Sequence, residues 1–442
     1  MHGHTTPATR RRRGTRLALV ATLALAASGC WPAPGQGPDR ASYNPFETTI
    51  TPDTVRTLAP VWTATTDSVE TGGVVGPPVV SNVAVHVSDG TALFTFDKAT
   101  GARLWRSPEP PTFYPFIADP LADGNRVLLP VGFPTGFGGS WTGYSQWLDA
   151  RTGVVLDGGP ALRVDTRRGT RMAGYSATGG PGLGALAFGL EVVDTADPAA
   201  GWSRVVRLSF DDLSVGRSAT LGSQRLYYAG AATESYEPFA ESVGVRAFPL
   251  TPPATCVVFP PGGPSLPDLP CPLWATTTAA RPVTSPVLGP GESVLYVGTS
   301  DGTLLALDAA DGHVLWTAAL GAAPSADPAL ADGWLYVPLA DGDLAVLPAG
   351  GCGAATCDAA WRAHLGGAGL QPAVAGGVVF VGTDAGDLVA LRAPGCGRPV
   401  CYPVWQRDFG APITGAPAVT GGRVYVGVSP DKVVALAPTS PP

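Results

Sequence analysis

Charge is scarce in this chain of 442 residues: Asp, Glu, Lys and Arg together make up 14%, and Lys98 and Lys432 are the only lysines. So little charge excludes a coiled coil, a basic nucleic-acid binder and a highly charged disordered chain. Long apolar runs are missing after residue 30, where nothing approaches the roughly 18 residues a membrane helix needs. A Walker loop, an H-E-x-x-H pair and an EF-hand loop are absent too, and no two cysteines are adjacent. What the chain has in quantity is Gly (58) and Pro (46), with 45% hydrophobic residues, ample for a core. The length suggests two to four domains or one large closed β architecture.

The first thirty residues read as an address. Arg10 to Arg13 and Arg16 form a basic start, Leu17 to Ala27 an apolar run, and Ala27-Ser28-Gly29 a small-residue stretch before Cys30. This is the layout of a signal peptide over residues 1–29. A Cys directly after small residues resembles a bacterial lipobox, which implies lipidation of Cys30 and a membrane-anchored, exported protein facing outside the cytoplasm. Removing residues 1–29 takes five Arg and no acid, leaving 23 basic against 35 acidic residues. An acidic mature chain is repelled by phosphate backbones, so membrane contact is expected through the lipid anchor only, with no nucleic acid. The Pro/Gly-rich residues 30–42 read as a lipidated tether, and residues 43–442 as the folded domain.

Besides Cys30 there are six cysteines, which formally allow fifteen pairings. Two C-x4-C units at equivalent repeat positions favour local pairs: Cys352 with Cys357, Cys396 with Cys401, and by proximity Cys256 with Cys271. A zinc site would want C-x2-C spacing with His or Cys partners, whereas His86, His313 and His364 lie in different repeats. An exported chain favours structural disulfides.

Internal repetition decides the fold class. Pro78, Pro120, Pro286, Pro328, Pro372 and Pro417 are separated by 42, 166, 42, 44 and 45 residues. After each comes a β-rich stretch, a turn and a second such stretch, as in Leu295 to Gly298, Asp301-Gly302, Leu304 to Leu307. Asp-Gly between alternating apolar residues is a strong hairpin signal. Each unit then returns to a Trp, most cleanly in Ala306-x-Asp308-x3-Gly312-x3-Trp316. In the C-x4-C units a disulfide replaces that Asp/Gly turn, and Trp361 and Trp405 still follow. Four short strands per 42–55 residues, repeated, mark a β-propeller. The gap of 166 fits three longer blades, with Pro181 as the start of the second. Counting Trp-type strands gives an all-β propeller of eight blades, with seven as the alternative. Because the last repeat lacks its Trp strand, the N-terminal strand around Trp62 is expected to complete the C-terminal blade and close the ring.

The Ala-x-Asp-x3-Gly-x3-Trp pattern at 306–316, the Val-Gly-Thr-x-Asp-Gly hairpin at 297–302 and the lead-in Tyr43 to Thr49 resemble the PQQ-like propeller repeats of quinoprotein dehydrogenases and of lipoproteins of the outer-membrane-assembly type. The resemblance spans about residues 43–438. It implies that Trp62, Trp105, Trp274, Trp316, Trp361 and Trp405 dock neighbouring blades, as a large planar side chain suits. It also raises a PQQ-dependent, calcium-assisted oxidoreductase as the alternative function. That family's adjacent cysteine pair is missing here, and no calcium ligand or catalytic Asp maps onto a matching motif.

Two other motifs are discounted on context. Gly298-Thr299-Ser300-Asp301-Gly302 matches a nucleophile elbow but joins two strands where an elbow needs a helix. Gly182-x-Gly184-x-x-Ala187 matches a dinucleotide fingerprint without a following helix pattern. The loops between second and third strands, short elsewhere, expand in the three middle blades at Gly132 to Gln146, Asp194 to Trp202 and Ala231 to Glu241. Their aromatics Trp141, Tyr144, Tyr236 and Phe239, set among Gly, Ser and Thr, form the candidate partner face. The expectation is therefore a monomeric scaffold or recognition module for a protein or cell-envelope polymer, with no catalytic residue, no metal and no cofactor.

Overall fold

A computed structural model describes residues 30–67, 74–108, 116–117, 119–135, 140–159, 163–177, 188–196, 202–206, 219–233, 241–251 and 272–439. The strands fall into eight sheets, each with at least four antiparallel strands taken almost entirely in chain order. Blades 1 to 7 span residues 79–106, 116–158, 163–206, 220–277, 287–319, 329–364 and 373–408. Blade 8 takes its three inner strands from 418–438 and its outer one from Leu58–Thr65, with Trp62 opposite Ala435. The ring is thus an eight-bladed β-propeller closed by its N-terminal strand.

The local reasons are those of the repeat. Pro can open an inner strand because its missing N–H costs little at a strand's first residue. Val79–Val80, Leu121–Asp123, Val287–Leu288, Ala329–Ala331, Ala373–Ala375 and Ala418–Thr420 each follow one of the six periodic prolines. The second strands are nearly all apolar, because both faces of each sheet meet a neighbouring blade; Val378–Gly382 is buried throughout. Gly298 to Gly302 is a tight turn between Val294–Gly298 and Thr303–Asp308, as a hairpin reading requires.

Two expectations about the middle blades change. Pro181 does not open an inner strand: it falls between Arg171–Ala177 and Phe188–Asp194, the second and third strands of blade 3, outside the described residues. The inner strands of blades 3 and 4 are Arg163–Arg168 and Thr220–Leu221, neither directly preceded by a proline. Arg-Val-Asp-Thr-Arg-Arg offers no apolar pattern, and a two-residue strand offers no period.

Candidate functional site

Blade contacts come first, because they fix every other position. Five outer-strand Trp side chains each lie over the glycine in the turn between third and fourth strands of the next blade. A Cβ on Gly101 would sit 2.6 Å from the Trp62 ring, on Gly153 2.8 Å from Trp105, on Gly312 2.4 Å from Trp274, on Gly351 2.8 Å from Trp316, and on Gly395 2.7 Å from Trp361. Several indole N–H groups donate into the same turn: Trp62 to Lys98 O at 3.3 Å, and Trp105 to Ala150 O and Trp274 to Ala309 O at 3.2 Å. Trp405 packs half-buried against the core cluster shared by blades 7, 8 and 1.

Within a blade the Trp meets an aromatic residue of the second strand, as in Trp62–Tyr425, Trp274–Tyr227, Trp316–Tyr296 and Trp361–Tyr336. In blade 1 this position is His86, 6.2 Å from Trp105 and fully buried. Its ring nitrogens contact Thr95 Oγ1 at 2.9 Å and Ser81 Oγ at 3.0 Å, so neither is available as a ligand. Burial lowers its pKa to about 3. The unfolded chain then binds the extra proton as pH falls from about 6.5 towards 3, so the stability His86 contributes is present above 6.5 and lost across that interval. His86→Tyr, the repeat's usual residue, should flatten the decline of the unfolding midpoint between pH 6.5 and 4. Parallel curves for the two proteins would remove His86 as the cause.

The C-x4-C units form the disulfides Cys352–Cys357 and Cys396–Cys401. Each closed loop also laps over the preceding blade. Thr356–Cys357 pairs in parallel with the outer strand Val314–Ala319 of blade 5, and Val400 bridges Arg362 in the outer strand of blade 6. An exposed outer edge is thereby covered. The expected pair Cys256–Cys271 lies outside the described residues.

The largest departure from expectation is the Pro/Gly-rich stretch that reads as a loose tether. Residues 31–44 are packed, and they run round the inner edge of the ring, touching the blades one after another. Trp31 exchanges two hydrogen bonds of 2.8 Å with Val80 of blade 1, and Pro32 O accepts from Ala122 N of blade 2 at 2.7 Å. Ala33 packs on the cluster of Leu128, Val164 and Met172 joining blades 2 and 3. Pro38 O and Asp39 O accept from Leu221 N and Leu288 N, both at 3.0 Å, in blades 4 and 5. Ala41 O and Ser42 O accept from Leu330 N at 2.8 Å and Val374 N at 2.9 Å, in blades 6 and 7. Tyr43–Asn44 pairs in parallel with blade 7, and Asn44 Nδ2 donates to Val419 O of blade 8 at 3.0 Å. Trp31 and Ser42 are fully buried, and Arg40 is 6% exposed with its guanidinium 3.0 Å from Asp327. Backbone groups left over at the inner edges are met by one strip of chain. A Trp directly after Cys30 was the available signal, since a solvated tether has no use for one.

Topology sorts the turns between two ends of the ring. Turns joining first to second and third to fourth strands share one end; turns joining second to third strands share the other. Cys30 lies at the first end, its thiol donating to Asn82 Oδ1 at 2.8 Å, beside Lys98. Burial pushes that thiol up, and Lys98 opposes the shift only in part, so Cys30 is not a ready thiolate. At the other end, Asp89, Asp301, Asp341, Asp384 and Asp431 mark the turns of five blades.

At that second end the described parts of the expanded segments of blades 2 and 4 are strand. Arg126–Thr135 pairs with Ser140–Asp149 up to Thr135 opposite Ser140, and Arg225–Thr233 with Glu241–Pro249 up to Thr233 opposite Glu241. They are tall hairpins, because Gly and Pro here sit in paired backbone. Trp141 is paired opposite Pro134. Tyr144, opposite Val131, is half-buried against Leu93, Val127 and Leu148 and is no free loop aromatic. Tyr236 and Phe239 lie outside the described residues. The third segment, Asp194 to Trp202, joins the third and fourth strands of blade 3 and so belongs to the opposite end.

The described residues hold one cluster with metal-ligand chemistry, Asp308, Asp311 and His313, in an exposed turn. His313 Nδ1 is 2.6 Å from Asp311 Oδ1, and Asp308 Oδ1 accepts from Ala310 N at 2.7 Å, which is ordinary turn bonding.

Comparison with known proteins follows this geometry. The family described as outer membrane protein assembly factor BamB matches residues 272–351 and 350–440, from the last strand of blade 4 through blade 8. Among curated protein sequences nothing matches. Among solved structures the chain is similar to quinohemoprotein alcohol dehydrogenase from Comamonas testosteroni, at 14% identity and TM-score 0.60, over 95% of this chain and 83% of that one. It is equally similar to quinohemoprotein alcohol dehydrogenase ADHIIG from Pseudomonas putida HK5, at 14% identity and TM-score 0.61, over 95% and 82%. A europium-containing methanol dehydrogenase aligns at 12% identity and TM-score 0.59, over 95% and 100%. At such identities the likeness is one of fold. Taken with the Trp-over-Gly seams and the N-terminal closing strand, these matches show the chain to have the fold of an eight-bladed β-propeller, similar to that of these dehydrogenases.

Proposed function

We propose that this propeller is a lipid-anchored, extracytoplasmic scaffold that recognises a protein or envelope polymer through the end of the ring bearing the tall hairpins of blades 2 and 4. The observation that carries the reading is the opposition of two ends: Cys30 at one, the hairpins of blades 2 and 4 at the other. Residues 1–29 would be the signal peptide and Cys30 the lipidated residue. A monomer with no catalytic group of its own fits a role in which paired strands project a binding surface.

The oxidoreductase alternative meets an unsuitable axis. A planar quinone with three carboxylates needs an open cavity and unpaired cations. Here residues 31–44 take the inner edges, and Arg40, the guanidinium buried there, is bound to Asp327. Among the described residues, those at the axis do not fit the group.

The test replaces Trp141, Tyr236 and Phe239 with Ser together and leaves half-buried Tyr144 alone. The variant should keep its thermal midpoint yet lose capture of the envelope component that co-purifies with the anchored protein, since aromatic anchors carry much of an interface's energy. Undiminished capture would move the partner surface elsewhere. Dye reduction and a quinone absorbance after adding PQQ and calcium would replace the scaffold reading with the enzymatic one.

A further inference from the structure

From the position of Cys30 we infer a second surface: the end of the ring that carries Cys30 lies flat on a lipid bilayer, and the hairpin end points away from it. The inference rests on the anchor reading above and adds the orientation and the lipid-contacting residues.

Three observations carry it. The chain outside the described structure on this side is residues 1–29, whose apolar run Leu17 to Ala27 ends three residues before Cys30. Immediately after Cys30, Trp31 is fully buried and hydrogen-bonded in both directions to Val80. No free chain therefore separates the anchor from the propeller. An acyl group on Cys30 can enter a bilayer only if the ring end around Asn82 and Lys98 comes with it.

The third observation is where the apolar surface lies. Among the described residues, every exposed large apolar side chain except Val74 belongs to this end of the ring. The repeat places several of them at one position, the residue directly before the outer-strand Trp or its substitute Asp157. There Val61, Leu156, Leu273 and Leu315 are 46%, 51%, 51% and 40% exposed. The disulfide loop of blade 7 adds Val400 at 53% and Tyr402 at 77%. These side chains flank the turns around the rim without forming a single patch, as suits shallow contact with headgroups and upper acyl chains. A bilayer is thus the occupant that chain connectivity and the exposed apolar side chains favour.

The full-length acylated protein would be reconstituted in phosphatidylcholine vesicles with photo-reactive p-benzoylphenylalanine at one position per sample. Leu315 and Tyr402 probe the Cys30 end; Ser300 and Asp341 probe the other. All four are surface residues whose replacement leaves the core intact. After flotation and illumination, Leu315 and Tyr402 should take up labelled lipid at least tenfold more than Ser300 and Asp341. Equal labelling of both ends in floating protein, or heavier labelling at Ser300, overturns the orientation while leaving the anchor standing. Protein that does not float, or a Cys30→Ser variant that floats as well as wild type, overturns the anchor and the orientation with it.

Discussion

Asp327→Ala is expected to lower the free energy of unfolding by about 3–5 kcal/mol, the range for stranding one member of a buried ion pair. Its carboxylate accepts from Arg40 Nη2 at 3.0 Å and, through the other oxygen, from Ser285 N at 2.6 Å. With the side chains of Arg40 and Asp327 only 7% and 13% exposed, neither partner can turn to water in place. Arg40→Met should also be costly, since it strands the Asp327 carboxylate, but less so, because the apolar stem stays and Ser285 N still donates to that carboxylate. Adding Arg40→Met to Asp327→Ala should then recover a large part of the loss. Chemical denaturation of the four proteins closes the cycle. A loss below about 1 kcal/mol for Asp327→Ala would mean that the inner strip is held by its backbone contacts alone.

Gly312→Ala should be nearly as damaging, at about 2–5 kcal/mol. Its φ of +79° already strains any side chain by about 1–2 kcal/mol. The added Cβ would also meet Trp274 Cε3 at 2.4 Å and Thr276 Oγ1 at 2.7 Å, and overpacking of this kind costs a further 1–3 kcal/mol or so. Gly321 is the control: its φ is +91°, and nothing lies within 4 Å of where its Cβ would be. Gly321→Ala should therefore cost only the backbone part. Equal losses at Gly312 and Gly321 would show that the seam tolerates an extra methyl, and that Trp274 is not packed as tightly as the repeat demands.

The sequence pattern made the ring legible wherever side chains carried it. Periodic prolines located six of the eight inner strands, Asp-Gly pairs located the hairpins, and the Trp column gave the blade count and the closing strand. The Tyr column opposite the Trp was equally visible, in Tyr296, Tyr336 and Tyr425, and it explains His86 as a substituted packing residue. Blades 3 and 4 were obscured because an Arg-rich strand and a two-residue strand leave no hydrophobic period. The tall hairpins were masked for another reason: Gly132, Pro134 and Gly143 read as loop, although their backbone is paired. The inner strip was the least legible of all. It binds chiefly through main-chain carbonyls, which any residue supplies, and its prolines and glycines match the composition of a linker.

That inner strip also sets the order in which the molecule can be made. Residues 31–44 and Leu58–Thr65 are made before any blade 1 strand, yet Asn44 pairs with Val419 and Trp62 with Ala435, some 370 positions later. Contacts so distant along the chain carry a large loop-closure cost before any is repaid, which makes folding slow. Leu58–Thr65 must wait, unpartnered, until the last strand has been delivered. Blades 1 to 7 can form as they emerge, but the eighth blade closes only when Lys432–Pro438 is present. A chain truncated before Lys432 would leave the ring open, whatever the quality of the blades it had already built.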